Sequence, residues 1–401
     1  MLKKIKLAAA VSAFVMSLPA LAQSSVTLFG IVDGGISYQN SQTTLGSTTN
    51  GHSSAKTTSG VWAGSRFGFK GNEDLSGGTK AVFWLESGFN ENTGAQQFGG
   101  IFGRQAYVGL ANDRYGSLTA GRQYSSYYLL MLPFSPTKWL TGAVGAHPGD
   151  IDGLDTTYRV NNAIQYTSPS IYGFTIGGTY ALGGVPGAFN RGSTWSVALQ
   201  YANGPAALGA GVLRIDNSTL GGGAWGADST VNSAGLPGVS AVNNGYQTAA
   251  AQQRVAVGAS YEFTSTVGVS ASYANVQYVP GIGSRFPSTA IFNVAGGVVH
   301  WAVTPALQVG AGYSYTWASK ANGINDAARY HELTLAQSYS LSKRTSIYAL
   351  EGYTHASGKT LGTAGATSII DATATVGDGY NAAPSSTANQ FVFSTGLVVR
   401  F

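Results

Sequence analysis

The sequence predicts an all-β fold, a 16-stranded antiparallel transmembrane β-barrel with an inward-folded third outer loop. Three observations carry the prediction: side chains alternate strictly with a period of two, the alternating segments are long, and the connections between them alternate short and long. In 255–263, Val255, Val257, Ala259, Tyr261 and Phe263 share one face, with Ala256, Gly258, Ser260 and Glu262 opposite. In 307–317, Leu307, Val309, Ala311, Tyr313, Tyr315 and Trp317 oppose Gln308, Gly310, Gly312, Ser314 and Thr316. A period of two is the strand signature. A soluble sandwich also alternates in this way. These segments, however, run mostly about 9–15 residues, against the ~5–6 of soluble strands, and so approach a tilted membrane span. Tyrosine and tryptophan close the apolar stripes where an aromatic girdle meets headgroups.

Along the chain, the first 22 of 401 residues read as a secretory leader. Lys3, Lys4 and Lys6 form a basic start, Leu7 to Leu18 an apolar stretch too short for a membrane helix, and Ala20-Leu21-Ala22 a small-x-small cleavage site. Residues 23–401 then form the barrel. Without the three leader lysines, 19 basic residues face 17 acidic ones, so the charge is no argument for nucleic-acid binding. There is no cysteine and hence no disulfide, and no later run of 18 apolar residues that would make a membrane helix.

The sixteen strands are expected at 25–40, 55–71, 78–91, 99–112, 115–124, 160–168, 173–183, 193–203, 205–216, 251–263, 266–279, 290–302, 305–319, 328–341, 343–356 and 388–401. Links after even strands are short and rich in turn residues, such as Asp113-Arg114, Gly204, Thr264-Ser265 and Ser342, whereas links after odd strands are mostly long. An even count lets the first strand close against the last, leaving no unpaired edge in lipid. In that last strand Phe391, Phe393, Thr395, Leu397, Val399 and Phe401 line one face up to the terminal residue.

Sixteen strands leave an aqueous lumen, which something must narrow. The longest link, 125–159, holds Tyr127, Tyr128, Leu129, Leu130, Met131, Leu132, Pro133, Phe134 and Trp139. Folding inward suits so apolar a loop better than projecting into water; covering the mouth or touching a neighbouring subunit is the alternative. Asp150, Asp152 and Asp155 follow, either as a negative edge on the constriction or as a solvated or ion-binding loop tip. On the wall, Phe67 and Phe69 point out, so Arg66 and Lys70 point into the lumen. By the same parity Arg159 shares the inner face with Asn161 and Gln165. A charge facing hydrocarbon at mid-depth costs about 2–4 kcal/mol, which disfavours the outward alternative. Arg104 and Arg122 lie in strands with two similarly apolar faces, so alternation leaves them unoriented. For all four arginines, a mouth-lining or interfacial charge is the competing reading.

SSVTLFGIVDGG (24–35), SRFGFKGNEDLSGGTKAVFWLE (65–86), GRQAYVGL (103–110), GSLTAGRQ (116–123), NNAIQYTSP (161–169), LSKRTSIYALEGYTH (341–355) and VVRF (398–401) occur in an order and spacing that resemble the general trimeric porins of Gram-negative bacteria, of betaproteobacterial type. The resemblance implies an outer-membrane homotrimer, in contact with lipid and lipopolysaccharide, that passes ions and small hydrophilic solutes passively without a cofactor. It carries the eyelet arginines to Arg66, Arg104, Arg122 and Arg159, and the loop acids to Asp150, Asp152 or Asp155. Two departures matter. Ile31 stands where enteric general porins carry an eyelet lysine, and Pro133-Phe134-Ser135-Pro136 replaces their Pro-Glu-Phe stretch, which shifts the balance toward anions.

Arginines on one wall and acids on the loop would set a field across the eyelet, favouring polar solutes and biasing ion selectivity. A sugar-specific channel needs stacked aromatics along the lumen, and the inward faces read as small and polar. A phosphate channel needs a denser cluster than Lys70 and Lys80. A barrel enzyme needs a histidine beside a nucleophile or carboxylate partner; His52 and His147 fall in loops and His300, His331 and His355 at strand ends, none with a convincing nucleophile. A purely structural or adhesive barrel is the remaining reading.

Overall fold

The computed structural model describes residues 25–139, 141–155, 158–225, 239–381 and 383–401. The leader expected at 1–22 lies outside them, as does most of the centre of the long link 217–250. Seventeen strand segments make one antiparallel sheet. They are β1 (Ser25–Gln42), β2 (His52–Ser59), β3 (Arg66–Asp74), β4 (Thr79–Gly88), β5 (Gln105–Asn112), β6 (Gly116–Gln123), β7 (Val160–Thr167), β8 (Phe174–Ala181), β9 (Thr194–Asn203), β10 (Ala206–Asp216), β11 (Ala251–Glu262), β12 (Val267–Val279), β13 (Ala290–Ala302), β14 (Leu307–Ala318), β15 (Arg329–Ser340), β16 (Thr345–Ser357) and, after a two-stranded hairpin of β17 (Lys359–Leu361) and β18 (Ile369–Asp371), β19 (Asn389–Arg400). Both β2 and β3 pair with β1, one against its second half and one against its first. They are therefore halves of one barrel strand, which makes sixteen. β19 pairs with both β16 and β1, so the sheet closes.

The closing seam depends on a glycine. Gly30 and Phe401 exchange main-chain hydrogen bonds of 3.0 and 3.1 Å, and a Cβ on Gly30 would come 2.2 Å from the Phe401 ring. Val26, Leu28, Leu199, Val257, Leu335 and Leu397 are exposed on the outer surface. So large an apolar surface suits hydrocarbon, and with all strands paired no main-chain edge meets lipid. Among the described residues no helix is long and apolar enough to cross a membrane.

The second expected strand, 55–71, is interrupted over 60–65. Gly60 and Gly64 adopt positive φ of 75° and 68°, the region that suits glycine. The Asp33 carboxylate accepts from the Trp62 and Ala63 N–H groups at 2.8 and 2.7 Å, and Tyr348 donates to its other oxygen. Val61 and Trp62 thereby turn into the barrel. The fourth strand also starts later than expected, at Gln105, leaving 99–104 as loop.

The described residues of segment 125–159 lie inside. Ser125 caps the short helix α1 (Ser126–Met131), accepting from the Tyr128 N–H. The Ser126 and Tyr127 N–H groups donate to Thr179 and Ser196 on the inner faces of β8 and β9. Phe134 stands on Gly209 and Gly258, where an added Cβ would come 2.2 and 2.6 Å from its ring. His147 packs on Gly296 and Val144 on Gly352 in the same way. The last long loop folds in behind: the Gly149 N–H donates to Gly377 O, and the Asp378 N–H to Ala143 O. A continuous apolar core containing Tyr127, Phe134, Ile151, Tyr246, Phe292 and Tyr330 thus fills the side of the lumen along β9–β15.

Candidate functional site: a constricted passage beside the inserted loop

Beside the inserted loop the lumen is open along β1 and β3–β7. A cavity of about 700 Å³ there is bounded by Arg66, Trp84 and Glu86 on the wall and by Tyr128, Leu129 and Leu132 on the inserted loop. A second, of about 1010 Å³, lies toward the short turns along β11, β13–β16 and β19, and takes in Lys138, Glu262, His300, Lys343 and Arg400.

Alternation delivers Arg66 to this passage, opposite the outward Phe67 and Phe69. It is the exposed end of a ladder of charges. Its guanidinium donates to Ala63 O at 2.6 Å and lies 3.7 Å from Glu86, with about a quarter of the side chain exposed. Glu86 is bonded to Arg104 at 2.6 Å and accepts from Trp84 Nε1 at 2.8 Å. Arg104 and Arg159 both donate to the Tyr124 hydroxyl, at 3.1 and 3.0 Å, and both cover the Phe98 ring. Only 2% of each of these two arginines is exposed, and neither borders the cavity that Arg66 bounds. An arginine buried in this way is held by its pairing, because removing one partner of a buried pair typically costs about 3–5 kcal/mol.

The other expected site residues are distributed differently. Lys70 faces the lumen with its ammonium 5.1 Å from the Trp84 ring and 5.6 Å from Phe29. Arg122 shares the parity of the outward Leu118 and Ala120, donates to Gly103 O at 2.7 Å and bonds Asn161, and does not bound the cavity that Arg66 bounds. Asp150, Asp152 and Asp155 are all buried. Asp152 pairs with His147 at 2.6 Å, and Asp150 accepts the Asp155 N–H. Burial opposes a charge on His147, but the adjoining Asp152 carboxylate raises its pKa above the ordinary imidazole value. The three acids fasten the loop and do not form an edge on the passage, because the apolar residues before them carry this part of the loop into the wall.

Several participants escape sequence reasoning. Glu86 is an acid in mid-strand, on the face opposite Phe83 and Leu85, and that parity was the available signal. Lys138 gives the loop a cation at the passage. Arg254, wholly buried on β11, donates to Ile151 O at 2.9 Å and holds the loop's far side. Glu332 receives the Gly377 N–H and the Thr354 hydroxyl, both at 2.9 Å. Nor are the inner faces uniformly small and polar, since Phe29, Ile31, Trp84 and Tyr107 line the open side. Among the described residues no group of three or more His, Asp or Glu is placed to hold a metal ion.

A closed barrel with an apolar exterior, crossed by a charged passage beside an inserted loop, defines a transmembrane channel. The chain belongs to the Gram-negative porin family, whose model matches residues 7–359. It is 36% identical over 261 residues to an outer-membrane porin protein of Bordetella pertussis, covering 59% of this chain and 66% of that one. Outer membrane porin protein 32 of Delftia acidovorans is 29% identical over 347 residues, covering 82% and 83%. The fold is that of an anion-selective porin from Comamonas acidovorans, with a TM-score of 0.68 at 23% identity over 94% of this chain and 100% of that one. This is an outer-membrane channel protein and not an enzyme.

Proposed function

We propose that this porin is an anion-preferring channel for passive passage of ions and small hydrophilic solutes, with its constriction between the β3–β4 wall and the inserted loop. One observation carries the reading: the charge left facing the passage is positive. Arg66, Lys70, Lys138, Lys343 and Arg400 border its cavities. Of the acids there, Glu86 is engaged by Arg104, and Glu262 lies 3.7 Å from His300. In a narrow passage with low-dielectric walls, fixed charge of one sign raises the local concentration of the opposite ion. The structurally similar Comamonas acidovorans protein is an anion-selective porin, which supports the same sign.

The functional unit we propose is a homotrimer in contact with lipid and lipopolysaccharide, exported by a leader cleaved after Ala22. Midway along β1, the outer surface is polar: the Glu91 carboxylate lies over Gly34, 3.2 Å from where a Cβ would stand, and accepts from Ser59 and Ser65. A carboxylate there suits a subunit contact better than hydrocarbon, where charge is costly.

Zero-current potentials across a KCl gradient in planar bilayers test the selectivity. The wild type should favour chloride, and Arg66→Gln combined with Lys138→Gln should move the potential most of the way to zero. A wild-type potential of the potassium-selective sign would refute the proposal.

A further inference from the structure

Phe29, Trp84 and Tyr107 project into the lumen from β1, β4 and β5 at nearly one height, and a passive channel for polar solutes has no need of them there. Trp84 lies opposite both Lys70 and Tyr107 in the strand register. Phe29 reaches across Gly68 to bring its ring centroid 5.0 Å from that of Trp84. A Cβ on Gly68 would stand 2.8 Å from the Phe29 ring, so the close approach of the two rings depends on that glycine. These rings do not join the core that fastens the inserted loop; they bound the open cavity, and across it the loop offers Leu129 and Leu132. Leu129 remains 38% exposed. Apolar surface left facing water on both sides of a slot is stabilised by whatever flat apolar group enters it.

The slot has a cation at each edge. Arg66 and Lys70 are four residues apart on β3 and both point inward, a separation of about 13 Å at about 3.3 Å per residue. Phe29, opposite Gly68, lies between them, and Trp84 and Tyr107 stand level with Lys70. Glu86, the acid on the same wall, is occupied by Arg104 and by the Trp84 indole N–H. A neutral ring would find apolar faces and no use for the flanking cations, and a small inorganic anion would find the cations and no use for the rings.

We propose that this slot is a binding subsite for planar aromatic carboxylates, with the ring against Trp84 and Phe29 and the carboxylate on Arg66 or Lys70. The proposal rests on the anion-preferring reading of the same passage and adds a solute class to it. An aromatic acid would therefore dwell in the channel where chloride or acetate passes.

Single-channel recording in KCl with benzoate, acetate or maltose added tests it. Benzoate at millimolar concentration should interrupt the chloride current, whereas acetate and maltose at equal concentration should not. Trp84→Ser, each channel being read against its own current before addition, should raise the half-blocking benzoate concentration about tenfold, the scale of a lost aromatic stacking contact. Phe29→Leu, which keeps apolar bulk while removing the ring, should give a shift of the same direction should Trp84→Ser fail to insert. Block by acetate as strong as by benzoate, stronger block by maltose, or unchanged benzoate block in both variants would overturn the subsite. Chloride preference in the reversal potential, measured on the same channels, separates that outcome from failure of the anion-preferring reading.

Discussion

The two sides of the barrel's inner wall share one sequence pattern and do opposite things with it. Along β9–β15, inward glycines such as Gly209, Gly258 and Gly296 are sockets: Phe134 and His147 sit in them so closely that no side chain fits. Along β3–β6, inward Gln105, Ser117 and Thr119 face the open cavity, among the rings of Phe29, Trp84 and Tyr107. Small inward residues therefore mark where a loop docks as much as where a solute passes. At the level of the inserted loop the lumen is consequently asymmetric, with a closed apolar core on one side and a charged passage on the other.

The most damaging way to break this asymmetry is to empty a socket. Phe134→Ala removes a ring held by two strands, and truncating a buried phenylalanine typically costs about 3–5 kcal/mol. A lower melting temperature in detergent, together with a larger conductance as the loop loosens, is the expected outcome. Unchanged values of both would mean that the sockets do not hold the loop.

A subtler perturbation acts through pH. Asp152, with Glu332 and Asp150 nearby, raises the His147 pKa against the opposing effect of burial. A raised folded-state pKa gives stability that is fully present below the ordinary value of 6.5 and is lost as pH rises through the raised value. Moving from mildly acidic to alkaline pH should therefore lower the wild-type melting temperature more than that of His147→Gln. Parallel pH profiles for the two proteins would remove His147 from the fastening of the loop.

The smallest effect is expected at the periplasmic end. Arg400 lines the wider cavity of about 1010 Å³, where charges further apart than a Debye length of about 8–10 Å are screened. Arg400→Gln should move the reversal potential toward zero by a fraction of the Arg66→Gln change, and an equal change would locate the selective level at that end instead.

The barrel itself was legible because each strand repeats one simple constraint: apolar side chains meet lipid at every second position. Parity likewise delivered Arg66 and Lys70. The break at 60–65 was not legible, because it depends on Asp33, nearly thirty residues away, accepting two N–H groups. Arg104 sits just before β5, where alternation no longer applies, and Glu86 decides its place. The acids at 150, 152 and 155 read as a negative edge because sequence shows their charge and not the wall behind them. For the same reason Lys138, one cation within an apolar loop, gave no sign that it borders the passage. The aromatic row also escaped notice, since Phe29 and Trp84 sit in stretches apolar on both faces.

Thiol accessibility tests the asymmetry most directly, since the chain has no cysteine of its own. Ser117 borders the open cavity, whereas Ser272 is buried on the inner face of β12. A charged thiol reagent should change the conductance of Ser117→Cys channels promptly and leave Ser272→Cys channels untouched. Equal modification of both, or modification of Ser272→Cys alone, would contradict a lumen filled on one side and open on the other.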